Sequence, residues 1–159
     1  MVSCDKYPAD VGLNALEIGG KLFCRVKSAS QALIKSAIES GLEIVDTKQG
    51  YPACTVLKLS EEAAITSDYG MAKLLNEHGI RVTIIEPGHI SLPPHEYGFI
   101  GGAGEVCGDN LYFFGNPMTH PDAAKIISAA KSEGLSIVPL CDGMLRDLGG
   151  IIFTEENVD

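Results

Sequence analysis

At 159 residues, 45% of them apolar, the chain is the size of one ordinary domain and can bury a core without disulfides. Its formal net charge of −9 is spread along the sequence; this repels phosphate backbones, excludes nucleic acid as a partner, and favours a small cationic ligand. No run approaches the ~20 apolar residues of a membrane span, no basic-then-apolar leader opens the chain, and five cysteines with no Cys-x-x-Cys pair point to reduced thiols in a cytoplasm.

The sequence repeats itself. Tyr-Pro-Ala occurs at Tyr7 to Ala9 and again at Tyr51 to Ala53, 44 residues on. Each copy precedes the same order of strand, polar turn, strand, helix, glycine and strand. In the first unit Val11 to Ile18 reads as a strand, with Asn14 inside it, and Gly19-Gly20 as a hairpin turn. Leu22 to Val26 returns, and Ser28 starts a helix with Ala32, Leu33, Ser36, Ala37 and Ser40 along one stripe. Gly41 ends that helix, and Leu42 to Val45 is the closing strand.

In the second unit Cys54 to Leu59 reads as a strand, Ser60-Glu61-Glu62 as its turn and Ala63 to Thr66 as the return. Ser67 or Asp68 caps a helix carrying Met71, Leu74 and Leu75, Gly79 ends it, and Ile80 to Ile85 is a β-branched strand. The third unit pairs Glu105 to Cys107 with Leu111 to Phe114 across Gly108-Asp109-Asn110. His120 or Asp122 opens a helix with Ile126, Ile127 and Ala130 on its apolar side; Gly134 ends it, and Leu135 to Leu140 is the last strand. The expected organisation is one α/β repeat domain over residues 1–159, with units at about 7–50, 51–98 and 99–146 and a partial fourth at 147–153. A single unit cannot bury its apolar faces, whereas stacked units can.

Two stretches carry a family resemblance. Gly134 to Leu140, followed by Met144-Leu145-Arg146-Asp147-Leu148-Gly149-Gly150, resembles the approach to the last blade of the pentein (guanidine-modifying) superfamily. Tyr97-Gly98-Phe99-Ile100-Gly101-Gly102 and then Leu111 to Gly115 resemble that superfamily's Gly-Gly strand and hairpin. Within it the chain looks most like an uncharacterised bacterial family, through Lys48 to Tyr51, Ile65 to Asp68 and Gly98 to Gly102. The resemblance implies about three blades of a five-bladed α/β propeller, with the strands of residues 42–45, 80–85 and 135–140 in separate small sheets. It also implies an N-terminally truncated member, or a homo-oligomer that supplies the missing blades. The implied chemistry is thiol attack on a guanidinium or amidine carbon, by a hydrolase or an amidinotransferase. The alternative is a non-catalytic module binding a protein or a small cation. Where the superfamily carries its cysteine after the final Gly-Gly, this chain has Ile151 to Thr154.

Cys54, in Gly50-Tyr51-Pro52-Ala53-Cys54-Thr55, resembles a nucleophile element moved to an earlier blade; a structural cysteine opening a strand is the other reading. His120 is either the base beside that thiol or a helix cap. Asp68 either points to the axis as the catalytic acid or caps its helix. Glu86 and Asp147 stand at strand ends where a carboxylate can face a cation. Asn14 is either a ligand contact or a turn-holding residue. His89 and His95 lie in a Pro/Gly-rich loop, and His78 at a helix end. With no His-Glu-x-x-His, no clustered metal ligands and no phosphate loop after Gly98 to Gly104, neither metal nor cofactor is expected.

Overall fold

The computed structural model describes residues 11–154. The first Tyr-Pro-Ala copy, Cys4 and the acidic end lie outside them. Three copies of one unit follow in order. Unit one comprises β1 (Ala15–Ile18), β2 (Lys21–Cys24), α1 (Gln31–Glu39) and β3 (Glu43–Asp46). Unit two begins with a single helical turn, α2 (Pro52–Thr55), and continues with β4 (Val56–Lys58), β5 (Ala63–Thr66), α3 (Tyr69–Glu77) and β6 (Arg81–Ile84). Unit three comprises β7 (Gly104–Cys107), β8 (Asn110–Phe113), a 3-10 turn (Pro117–Thr119), α4 (Ala123–Ser132) and β9 (Ser136–Pro139). Each unit folds into its own three-stranded sheet, so β3, β6 and β9 never share one. In each sheet the hairpin is antiparallel, and the strand that follows the helix adds parallel to the middle strand. Among the described residues no helix is long and apolar enough to cross a membrane.

The repeat is written most plainly where the helices stop. Gly41, Gly79 and Gly134 have φ of +81°, +85° and +74°. At each, the glycine N–H donates to the carbonyl three residues back, and the next residue's N–H to the carbonyl five back: Leu42 to Ala37, Ile80 to Leu75 and Leu135 to Ala130. That Schellman closure turns the chain into the parallel strand and lays an apolar residue back on the helix.

Parity along the strands then decides the packing. In the first sheet Leu22 and Cys24 face α1, with Ala37 the helix residue buried against them. Leu16, Ile18, Phe23 and Val45 point the other way and join Val56 and Ala64 of the second sheet and Met71 and Leu75 of α3. The second sheet does the same: Leu57, Ala63 and Ile65 pack on Leu111, Phe113 and α4 (Ile126, Ala129, Ala130). Polar links follow the same seams. The Gly19 N–H donates to Glu61 (2.8 Å), Ser60 donates to Glu133 (2.7 Å), and Arg81 pairs with Glu133 at 2.9 Å.

Several boundaries differ from expectation. Cys54 lies in α2, not in a strand: Pro52 fits the first helical position, and the Thr55 N–H and hydroxyl both donate back to the Tyr51 carbonyl. Asn14 sits in the turn before β1, its N–H donating to Val11. The buried stripe of α1 is Leu33, Ile34 and Ala37, while Ala32 and Ser36 are exposed. Residues 147–153 form no strand. Arg146 instead bridges to Ser91, and Phe153 rests on Tyr112 with ring centroids 5.0 Å apart.

Because Phe23 belongs to a cluster shared by units one and two, Phe23→Ala is expected to cost about 3–5 kcal/mol. Urea unfolding should remain a single transition. Ile38→Ala, on the exposed side of α1, should stay within about 0.5 kcal/mol.

Candidate functional site

Asn14 joins two units. Its side-chain oxygen accepts from the Ala53 N–H (2.9 Å), and its amide nitrogen donates to the Cys54 sulfur (3.0 Å). One residue type does both because a primary amide is donor and acceptor at once. The turn before β1 holds that amide, and α2 presents Ala53 and Cys54 to it.

The third unit closes on the same turn. Gly101 lies so close to the carbonyls of Ala53, Cys54 and Val56 that any Cβ there would overlap them. Gly98 and, more tightly, Gly102 are pressed against the side chain of Asp147. The buried Asp147 carboxylate accepts from the Phe99 N–H (2.9 Å) and from the Gly149 N–H (3.0 Å). Its backbone is pinned as well: the Asp147 N–H donates to Ser91, and the Leu148 N–H donates to Gly102. Among the described residues no lysine or arginine forms an ion pair with it.

These contacts set the chemistry of the thiol. Burial pushes the Cys54 thiol up from the ordinary range, the Asn14 hydrogen bond partly offsets this, and the charge of Asp147 raises it further. Cys54 is therefore a protonated, half-buried thiol at neutral pH in this structure, held in register by Asn14 and under the field of a carboxylate.

The other candidates lie elsewhere. Asp68 caps α3, accepting from the Met71 N–H (2.9 Å), and its second oxygen accepts from Gln49 (2.9 Å). It lines a cleft of about 480 Å³ together with Lys48, Gln49, Met71 and Leu74. Glu86 is exposed, and its backbone N–H donates to Asp122 (2.7 Å). His120 is only 3% exposed; its Nδ1 accepts from the Asp122 N–H (3.0 Å), and its ring meets that of His89 edge-on at 5.4 Å. Neither His120 nor Asp68 hydrogen-bonds to Cys54. Among the described residues no three His, Cys, Asp or Glu side chains are arranged to hold a metal.

Sequence reasoning named Asn14, Cys54 and Asp147 separately and missed that Gly98, Gly101 and Gly102 bring them together. The available signal was three glycines in five residues within a stretch that is not a helix cap. Gly101→Ala is expected to destabilise the protein by about 1–3 kcal/mol, since backbone carbonyls cannot move aside as a side-chain tip can. In peptide-resolved alkylation with iodoacetamide at pH 7, the exposed Cys107 and Cys141 should react well before Cys54. Because its pKa is raised, Cys54 should gain about tenfold in rate per pH unit on the alkaline side.

No curated protein matches this sequence. A family model does, over residues 2–152, and so covers all three units and the residues that converge on Cys54; the chain belongs to that family, a family of unknown function (DUF6873).

Proposed function

We propose that this protein is a pentein-like repeat protein whose Asn14–Cys54–Asp147 centre binds a small cation of the guanidinium or amidinium type. The observation that carries the reading is the convergence of three units on one thiol. Asn14 comes from the first unit and Cys54 from the second; Asp147 follows the third, clasped by its glycines. In an α/β propeller, equivalent strand-end segments of successive blades meet at the axis. Three units meeting at one point is the arrangement that about three blades of such a propeller require.

The chemistry of the centre fits a cation. Asp147 is buried and supplied with backbone donors, yet its negative charge still reaches the thiol. A planar cation seated between them neutralises that charge and offers hydrogen bonds to both. The non-catalytic binding module is the reading best supported, because the free thiol is made less acidic and has no histidine as a base. One observation favours the thiol-dependent hydrolase or transferase as a second reading. The carboxylate that raises the thiol pKa would be neutralised by a cationic substrate, which would then itself promote thiolate formation.

Reagent charge tests the cation site. The cationic 2-chloroacetamidine should label Cys54 faster than neutral 2-chloroacetamide, relative to the same ratio at Cys107. Free arginine or agmatine should slow the labelling of Cys54 by the first reagent and leave Cys107 unaffected. Equal relative rates at Cys54 and Cys107, with no protection by guanidino compounds, would remove the proposal. Release of urea or ammonia from a guanidino compound, abolished by Cys54→Ala, would select the hydrolase over the binding module.

A further inference from the structure

The His120 side chain lies outside the Cys54 centre, at the seam between the second and third units. The chain leaves β6 at Ile84 and reaches the Asp147 cradle at Gly98. On the way Glu86 is fastened to the start of α4, its N–H donating to one Asp122 oxygen while Lys125 pairs with the other at 2.9 Å. The ring of His120 fills the space behind this clasp, with Nδ1 accepting from the Asp122 N–H. An accepting Nδ1 carries no proton, so the neutral ring holds its hydrogen on Nε2. That nitrogen is fully buried and lacks a well-formed hydrogen bond, although the Glu86 backbone lies near enough to favour a proton on the ring.

The titratable and charged groups around the ring come from both sides of the seam. His89 and Glu86 come from the segment after β6, 3.7 Å apart from each other; Asp122 and Lys125 come from α4. Both of the nearer groups are committed elsewhere. The Asp122 carboxylate is used by Glu86 and Lys125, and the exposed Glu86 side chain turns towards His89. A second proton on His120 would sit on Nδ1 against the Asp122 N–H, where two donors meet and neither is satisfied. It would also place an imidazolium in a dry seam beside a second imidazole.

We propose that His120 is a proton-operated latch. Its neutral ring keeps residues 86–99 docked on α4, and its protonation releases that segment and with it the Phe99 N–H that holds Asp147. The direction of the proton linkage agrees. Burial first, and His89 second, lower the affinity of His120 for a proton in the docked state, against smaller opposing effects of Asp122 and Glu86. The docked state therefore binds fewer protons than the released one. It is fully stabilised above the ordinary histidine pKa of about 6.5, and that stabilisation falls as the pH drops from there towards the lowered pKa of the docked ring. Any consequence for ligand binding rests on the proposed cation site; the release itself does not.

Amide hydrogen exchange on the intact chain tests the latch. After correction for intrinsic rates, exchange at the Glu86, Phe99 and Asp122 amides should rise about tenfold for each pH unit below about 6.5, until the docked pKa is passed. The β4–β6 sheet should stay protected. His120→Gln, which keeps an acceptor for the Asp122 N–H but cannot titrate, should flatten the response while protection at pH 7.5 remains. His89→Gln should leave a response but shift it to lower proton cost. Should His120→Gln fail to fold, proton NMR of the unsubstituted protein decides: the His120 ring must titrate below free histidine, in step with the loss of protection. A response that survives His120→Gln, or a His120 ring that titrates near 6.5 with the segment still docked, would overturn it.

Discussion

A sheet of three strands, each three or four residues long, has two faces, and a ββαβ unit brings only one helix to cover them. This shortage of cover governs the molecule. The first sheet buries Leu22 and Cys24 under its own α1 and must find a partner for Leu16, Ile18, Phe23 and Val45. The partner is the helix side of the next unit, and the second sheet passes the same debt to the third. Stability is therefore held at the seams between units, as in other stacked repeats. The far face of the third sheet departs from the pattern, carrying Glu105, Tyr112 and Val138, with Phe153 laid on Tyr112. Burial there pushes the Glu105 carboxyl up, with the Val106 N–H and Lys58 opposing.

The same stacking makes the thiol centre. Strand ends that are far apart in sequence come to one side of the stack, and polar groups buried there must find hydrogen-bond partners in one another. Asn14 does this for α2 and Cys54; the Phe99 and Gly149 amides do it for Asp147. The glycines at 98, 101 and 102 are needed because backbone approaches backbone and carboxylate too closely for a side chain to intervene. Such surroundings make the thiol less acidic than an ordinary cysteine.

The segment between β6 and β7 links this centre to the His120 seam. One end is clasped to α4 through Glu86 and Asp122, its middle bridges to Arg146 through Ser91, and its far end supplies the glycines and Phe99. Cys54 and His120 thus belong to one connected region without touching.

The sequence by itself determined the repeat. Apolar alternation, the Gly-Leu/Ile step after each helix and the hairpin glycines placed nine strands and three long helices within a few residues of their observed positions, because these are local consequences of backbone geometry. It failed at α2, where alternation over Cys54 to Leu59 read as one strand. A proline at the first helical position and a threonine folding back on Tyr51 outweighed that alternation. The site divided in the same way. Residue type marked Asn14, Cys54 and Asp147 as candidates, and equally marked Asp68, which caps a helix, and His120, which packs on His89. Which polar residues share a centre depends on how units 40 and more residues apart dock. That docking is decided by side chains meeting across the seams, a property of the tertiary structure alone.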